Sequence, residues 1–169
     1  ASEYAAERYN AASQVQRTDY KPKAKAGIED FENDRLSGDQ KRNAFDLITT
    51  LDTFRSDYIA DLNKVGMSYT DFKKLMMGVY AAETEFGTYR TKVSKTDVVG
   101  ELQVTRITLR EQWADKRHPF GPNVAGRLGT TLSKLNALSD AELRYKLLND
   151  DLFNYISGAM IMINKLQGN

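Results

Sequence analysis

Residues 68–87 read SYTDFKKLMMGVYAAETEFG, and the placing of their apolar side chains decides the fold class. Phe72, Leu75, Met76, Val79 and Tyr80 recur at intervals of three and four, the period of a helix that buries one face. Ser68, three residues before Asp71, resembles a capping box; the helix is predicted to begin at Ser68 or Thr70 and to stop at Gly87. The next position on that stripe is 83, where an apolar residue is due, and it is Glu83. A carboxyl group at the end of an apolar stripe is expected to be partly desolvated, which favours the protonated form that a general acid needs. The plainer alternative is a glutamate at a frayed helix end that reaches solvent. Glu85 lies about 200° further round the helix, so the two acids do not share an environment.

The helical period continues on both sides. Phe45, Ile48, Leu51, Phe54, Tyr58, Ile59 and Leu62 predict a preceding helix, with Gly66 as its stop. Leu143, Leu147, Leu152, Phe153, Ile156, Met160, Ile163 and Leu166 predict helical packing into the core near the C-terminus, in one piece or two. Residues 113–130, which include His118-Pro119-Phe120-Gly121-Pro122-Asn123, read as a surface loop. One segment breaks the pattern. Val98-Val99-Gly100-Glu101-Leu102-Gln103-Val104-Thr105 is rich in β-branched residues and predicts a short strand or hairpin. The expected architecture is therefore mainly α with a small β element, in a single domain over 1–169, since 169 residues suffice for one compact core.

Composition narrows the chemistry. Lys and Arg number 24 against 23 Asp and Glu, a formal net charge of +1, so no global field draws the chain to nucleic acid or to an anionic membrane. Cysteine is absent and His118 is the single histidine, which excludes thiol nucleophiles, Cys/His zinc sites and any triad not built on His118. Carboxylates remain as the main catalytic groups, and no metal or cofactor is expected. No apolar run reaches the length of a bilayer span. The chain starts at Ala1 rather than Met, as a processed precursor or an excised piece does, which leaves a removed signal peptide open.

Glu83-Thr84-Glu85-Phe86, then Ser94, then Gly100-Glu101-Leu102-Gln103-Val104, then Thr108 resembles the signature of the soluble lytic transglycosylase family, whose lysozyme-like fold is shared with goose-type lysozymes. That family's pattern is a catalytic Glu followed by Ser, one residue and Phe; later a Ser; six residues on, a Gly opening Gly-Leu-Met-Gln; and five beyond the Gln, a Thr. Ser94 to Gly100 is six here and Gln103 to Thr108 is five. The gap from Glu83 to Ser94 is longer than usual, Glu101 replaces an apolar residue, and Arg106 stands near the family's proline. Further on, Asp150, Asn154, Ile156, Gly158 and Ala159 resemble the family's Asp-Pro-x-x-Asn-Ile-x-x-Gly stretch that opens a helix, without the proline. The family then continues into Ala-Tyr-Asn-Ala-Gly. A similar string stands at the other end, Ala5-Ala6-Glu7-Arg8-Tyr9-Asn10-Ala11-Ala12, as in a circular permutant opened at an exposed loop.

The resemblance implies a peptidoglycan-cleaving enzyme. One glutamate, here Glu83, protonates the oxygen between N-acetylmuramic acid and N-acetylglucosamine and then helps the muramyl 6-hydroxyl attack the anomeric carbon, giving a 1,6-anhydro sugar. Thr84 stands where the family's Ser assists the reacting sugar, Ser94 where its second Ser stands, and Gln103 reaches into the sugar cleft; in a permutant, Tyr9 orients Glu83. The implied partners are peptidoglycan strands, with secretion-apparatus or phage-particle components as assemblies to serve, and the implied location is extracytoplasmic: periplasmic, secreted or virion-associated. Two alternatives stay open. Asp97 or Glu101 as a second carboxylate would make a hydrolytic muramidase on the same fold. Otherwise the chain is a non-catalytic helical cell-wall or secretion-assembly binding module in which Glu83 is incidental. Plainer readings stand beside each residue: a backbone-bonded helix position for Thr84, an exposed strand position for Gln103, a packing aromatic for Tyr9, a loop residue for His118, and a solvated loop for Lys21, Lys23 and Lys25.

Overall fold

A computed structural model describes residues 26–88, 98–99, 102–114 and 120–168. These residues are mainly helical, as the apolar period predicts. The elements are α1 (Ile28–Glu32), α2 (Gly38–Lys64), α3 (Tyr69–Thr84), β1 (Val98–Val99), β2 (Val104–Thr105), α4 (Arg106–Ala114), α5 (Pro122–Arg127), α6 (Leu132–Ala137), α7 (Asp140–Asn149) and α8 (Asp151–Leu166). No helix among the described residues is long and apolar enough to cross a membrane.

The helix starts follow local chemistry. Ser37 and Gln40 close a reciprocal capping box on α2, and Ser139 and Glu142 do the same on α7, each satisfying two backbone or side-chain groups at a helix N-terminus. At α3 the Ser68 hydroxyl accepts from the Asp71 N–H at 3.1 Å, one half of the predicted box. Asp150 separates α7 from α8 and caps the latter by accepting from the Phe153 N–H at 3.0 Å, so the C-terminal apolar run forms two helices.

Helix α2 packs against α3 and α8, and α8 also meets α4, α7 and β2. Its first turns bury Phe153, Tyr155, Ile156, Ala159 and Met160 together with Asn154 and Ser157, the all-round burial expected of a central helix. The buried stripe of α2 is Ala44, Leu47, Leu51, Phe54, Tyr58 and Leu62. It is displaced by one residue from the sequence reading at its start, leaving Phe45 half exposed with its ring edge-on to Phe31 of α1. Leu152, expected in the core, is also exposed, because Phe153 takes the inward position on α8.

Two further boundaries differ from the sequence reading. Helix α3 stops at Thr84, before Gly87, because Glu85, Phe86 and Gly87 all take left-handed backbone, with φ of 49°, 58° and 76°. The carbonyls this turn exposes are met from α2: Asn43 Nδ2 donates to Phe86 O at 2.7 Å and Gln40 Nε2 to Glu85 O at 3.4 Å. The stop is thus set by a neighbouring helix as well as by glycine. Residues 120–127 of the expected surface loop bury Phe120, Val124 and Ala125 and include α5, with Gly121 as its N-cap and Pro122 at its first position, where a missing N–H costs nothing. The β element is borne out as a minimal antiparallel pair, Val98 opposite Thr105 and Val99 opposite Val104.

Candidate functional site

The turn after β1 is fixed from below by α8. The buried Asn154 side chain accepts from the Leu102 N–H at 2.9 Å through Oδ1 and donates from Nδ2 to Leu147 O at 3.0 Å, tying the turn to the end of α7. One helical turn further along α8, a Cβ on Gly158 would sit 2.7 Å from Leu102 Cδ1 and 3.1 Å from its Cβ, so the contact exists because position 158 has no side chain. Leu102 is buried in consequence, and Gln103 follows with φ of 54°, a left-handed conformation that a non-glycine residue holds only when its surroundings impose it.

This turn forms one wall of a cleft of about 210 Å³. Met76, Val79 and Glu83 of α3 make a second wall, and Gly158, Ile161, Met162 and Lys165 of α8 a third. Between them Leu102, Gln103, Val104, Thr105 and Thr108 complete the lining, and the Thr105 hydroxyl donates to that of Thr108 at 2.8 Å. Apolar side chains therefore form much of the surface, with one carboxyl, one amide, two hydroxyls and one ammonium distributed over it. Such a mixture places one group able to transfer a proton in the same cleft as groups able to form hydrogen bonds.

Of the five site residues expected from sequence, the structure brings Glu83 and Gln103 to this one cleft. Thr84 goes elsewhere: it is fully buried, its hydroxyl accepts from the Gly87 N–H at 3.1 Å, and it is absent from the lining, so it acts within the helix end rather than at the cleft surface. Ser94 and Tyr9 lie outside the described residues, as do Asp97, Glu101, His118 and the Lys21, Lys23, Lys25 cluster.

The expected environment of Glu83 needs correction. The core face of α3 is Phe72, Met76, Met77, Tyr80, Ala81 and Thr84, so the end of the buried stripe is Thr84. Glu83, about 100° away around the helix, shares the edge with Val79 and is exposed on the rim of the cleft. The desolvation expected from the stripe is therefore not supplied by the core.

Sequence reading missed Thr105, Ile161, Met162 and Lys165 as lining residues. A signal for the last three was present: Gly158, Ile161 or Met162, and Lys165 repeat at helical spacing, a second face on a helix whose other face is core. Among the described residues, no group of three His, Asp or Glu side chains is placed to hold a metal ion. No protein-family model matches the chain, and no curated protein or solved structure is significantly similar to it.

Proposed function

We propose that the protein is a lytic transglycosylase that breaks the β-1,4 bond between N-acetylmuramic acid and N-acetylglucosamine, with Glu83 as acid and then base. The observation that carries this reading is the meeting of Glu83 and Gln103, twenty residues apart and matching two separate parts of one motif, in a single cleft. It is supported by Asn154 and Gly158, which match a third part and hold the Gln103 turn against α8. The reading carries with it a lysozyme-like domain over 1–169, opened as a circular permutant so that Tyr9 orients Glu83, and an extracytoplasmic setting.

In this mechanism the Glu83 carboxyl gives its proton to the glycosidic oxygen as the bond from that oxygen to the muramyl C1 breaks. The carboxylate then takes the proton of the muramyl 6-hydroxyl as O6 bonds to C1, closing the 1,6-anhydro ring. Proton and bonds balance, and water is not consumed. A glycan laid in the cleft would exclude water from the rim where Glu83 stands. Gln103 lines the same cleft, the place from which its amide would bond the substrate. Glu83 is the only carboxylate among the described lining residues, and an internal nucleophile makes a second one unnecessary.

Digestion of purified sacculi followed by mass spectrometry of the released muropeptides tests the proposal. Anhydro-muramyl ends are expected, and Glu83→Gln should lower their rate of formation by about 100-fold or more. Reducing ends in their place would reassign the protein as a hydrolytic muramidase, and intact sacculi would leave it a binding module. Undiminished activity of the Glu83→Gln protein would overturn the site.

A further inference from the structure

Glu83 is the sole anion and Lys165 the sole cation among the described residues that line the cleft. Lys165 stands seven residues after Gly158, so its Cα lies about 10 Å further along α8 than the point where the Gln103 turn rests on the helix. It is exposed, and no ion pair joins it to a carboxylate of the described residues. The Asp61 carboxylate is instead engaged by Gln167, whose Nε2 donates to Asp61 Oδ1 at 2.9 Å.

We infer that Lys165 receives a carboxylate of the glycan and thereby selects an acid-bearing strand over a neutral N-acetylglucosamine polymer. The inference rests on the reading of the cleft proposed above. The remaining polar lining, Gln103, Thr105 and Thr108, is neutral and serves hydroxyls and amides of any amino sugar alike. The ammonium is the one cation there, and it forms an ion pair with an acidic sugar but only a hydrogen bond with its neutral counterpart. Two carboxylates of the same chemistry can meet it: the lactyl group of a peptide-stripped strand, or an acid group of the peptide stem. A lysine in the last turn also favours the helix dipole, and that role affects stability rather than substrate choice.

The test is steady-state cleavage of soluble glycan strands, peptide-stripped and peptide-bearing, by the wild type, Lys165→Gln and Lys165→Arg. Lys165→Gln should raise KM about 1.5- to fivefold, the range for an exposed ion pair, with kcat held within about twofold, and Lys165→Arg should restore KM. Added salt should raise the wild-type KM and leave that of Lys165→Gln flat, because only a charge contact is screened. In the Glu83→Gln background, affinity for a chitin oligomer should be the same with Lys165 or its Gln replacement. A KM effect confined to stripped strands assigns the lactyl carboxylate, and one confined to peptide-bearing strands assigns the stem. An unchanged KM on both substrates overturns the inference while leaving the role of Glu83 standing; a wild type that cleaves neither brings down the functional reading first and this one with it.

Discussion

At the scale of single residues, the cleft depends on a missing side chain. Gly158 admits Leu102, and Asn154 pins the Leu102 N–H, so an added methyl group must displace the Leu102 side chain while its backbone stays tethered. Gly158→Ala is therefore expected to cost about 1–3 kcal/mol through overpacking, offset by about 1 kcal/mol of helix propensity, at about 2–4 °C of Tm per kcal/mol for a chain of this size, and, under the proposed function, to slow glycan cleavage. Thermal unfolding followed by circular dichroism measures the first effect. Combined with Leu102→Ala, the glycine substitution should cost less than the two single losses added, since both act on one contact. A raised Tm for Gly158→Ala alone would show that the close approach does not constrain the turn. Glycine 158 was legible in sequence as part of a motif; what it touches was not, because Leu102 lies 56 positions away.

At the scale of elements, the ends of helices carry more information than their middles. The apolar period located α2, α3, α7 and α8, but the end of α3 depended on Gln40 and Asn43 reaching across from α2, which no local signal encodes. The start of α7 is local and has a pH signature. Glu142 accepts from the backbone N–H of Ser139, and that hydrogen bond, with a smaller contribution from the Ser139 hydroxyl, holds its carboxyl below the ordinary glutamate range. A carboxyl whose folded value is depressed contributes stability above its unfolded value, about 4.3, and loses that contribution as pH falls through the folded one. The wild type should therefore exceed Glu142→Gln in stability at neutral pH, with the gap closing from about pH 5 downward. Urea unfolding of both proteins across that range reads the difference. A gap that persists at the acid end would assign the effect of Glu142 to something other than its charge.

At the scale of the whole molecule, α3 and α8 must be held together for their edges to face one cleft. The buried hydroxyls of Tyr80 and Tyr155 meet at 2.7 Å, and the rings pack edge to face at 5.4 Å, one turn before Glu83 and Gly158 respectively. Tyr80→Phe and Tyr155→Phe should each destabilise the protein by about 1–2 kcal/mol. In a double-mutant cycle they should couple by at least about 0.5 kcal/mol, measured from unfolding curves; strict additivity would show that the pair does not link the two helices. The sequence by itself determined the mainly helical class, the short β pair, the Ser68 cap of α3, and the candidacy of Glu83 and Gln103, because periodicity, caps and motif spacing are properties of neighbouring residues. Only the tertiary structure decided which edge of each helix meets the core. A rotation of about 100°, one residue of an α-helix, separates the buried Thr84 from the rim position of Glu83, and the same freedom brought Lys165, unmarked by any motif, to the third wall. That choice follows from packing between segments distant in the chain, where the burial of Tyr80, Tyr155 and Leu102 outweighs any local preference.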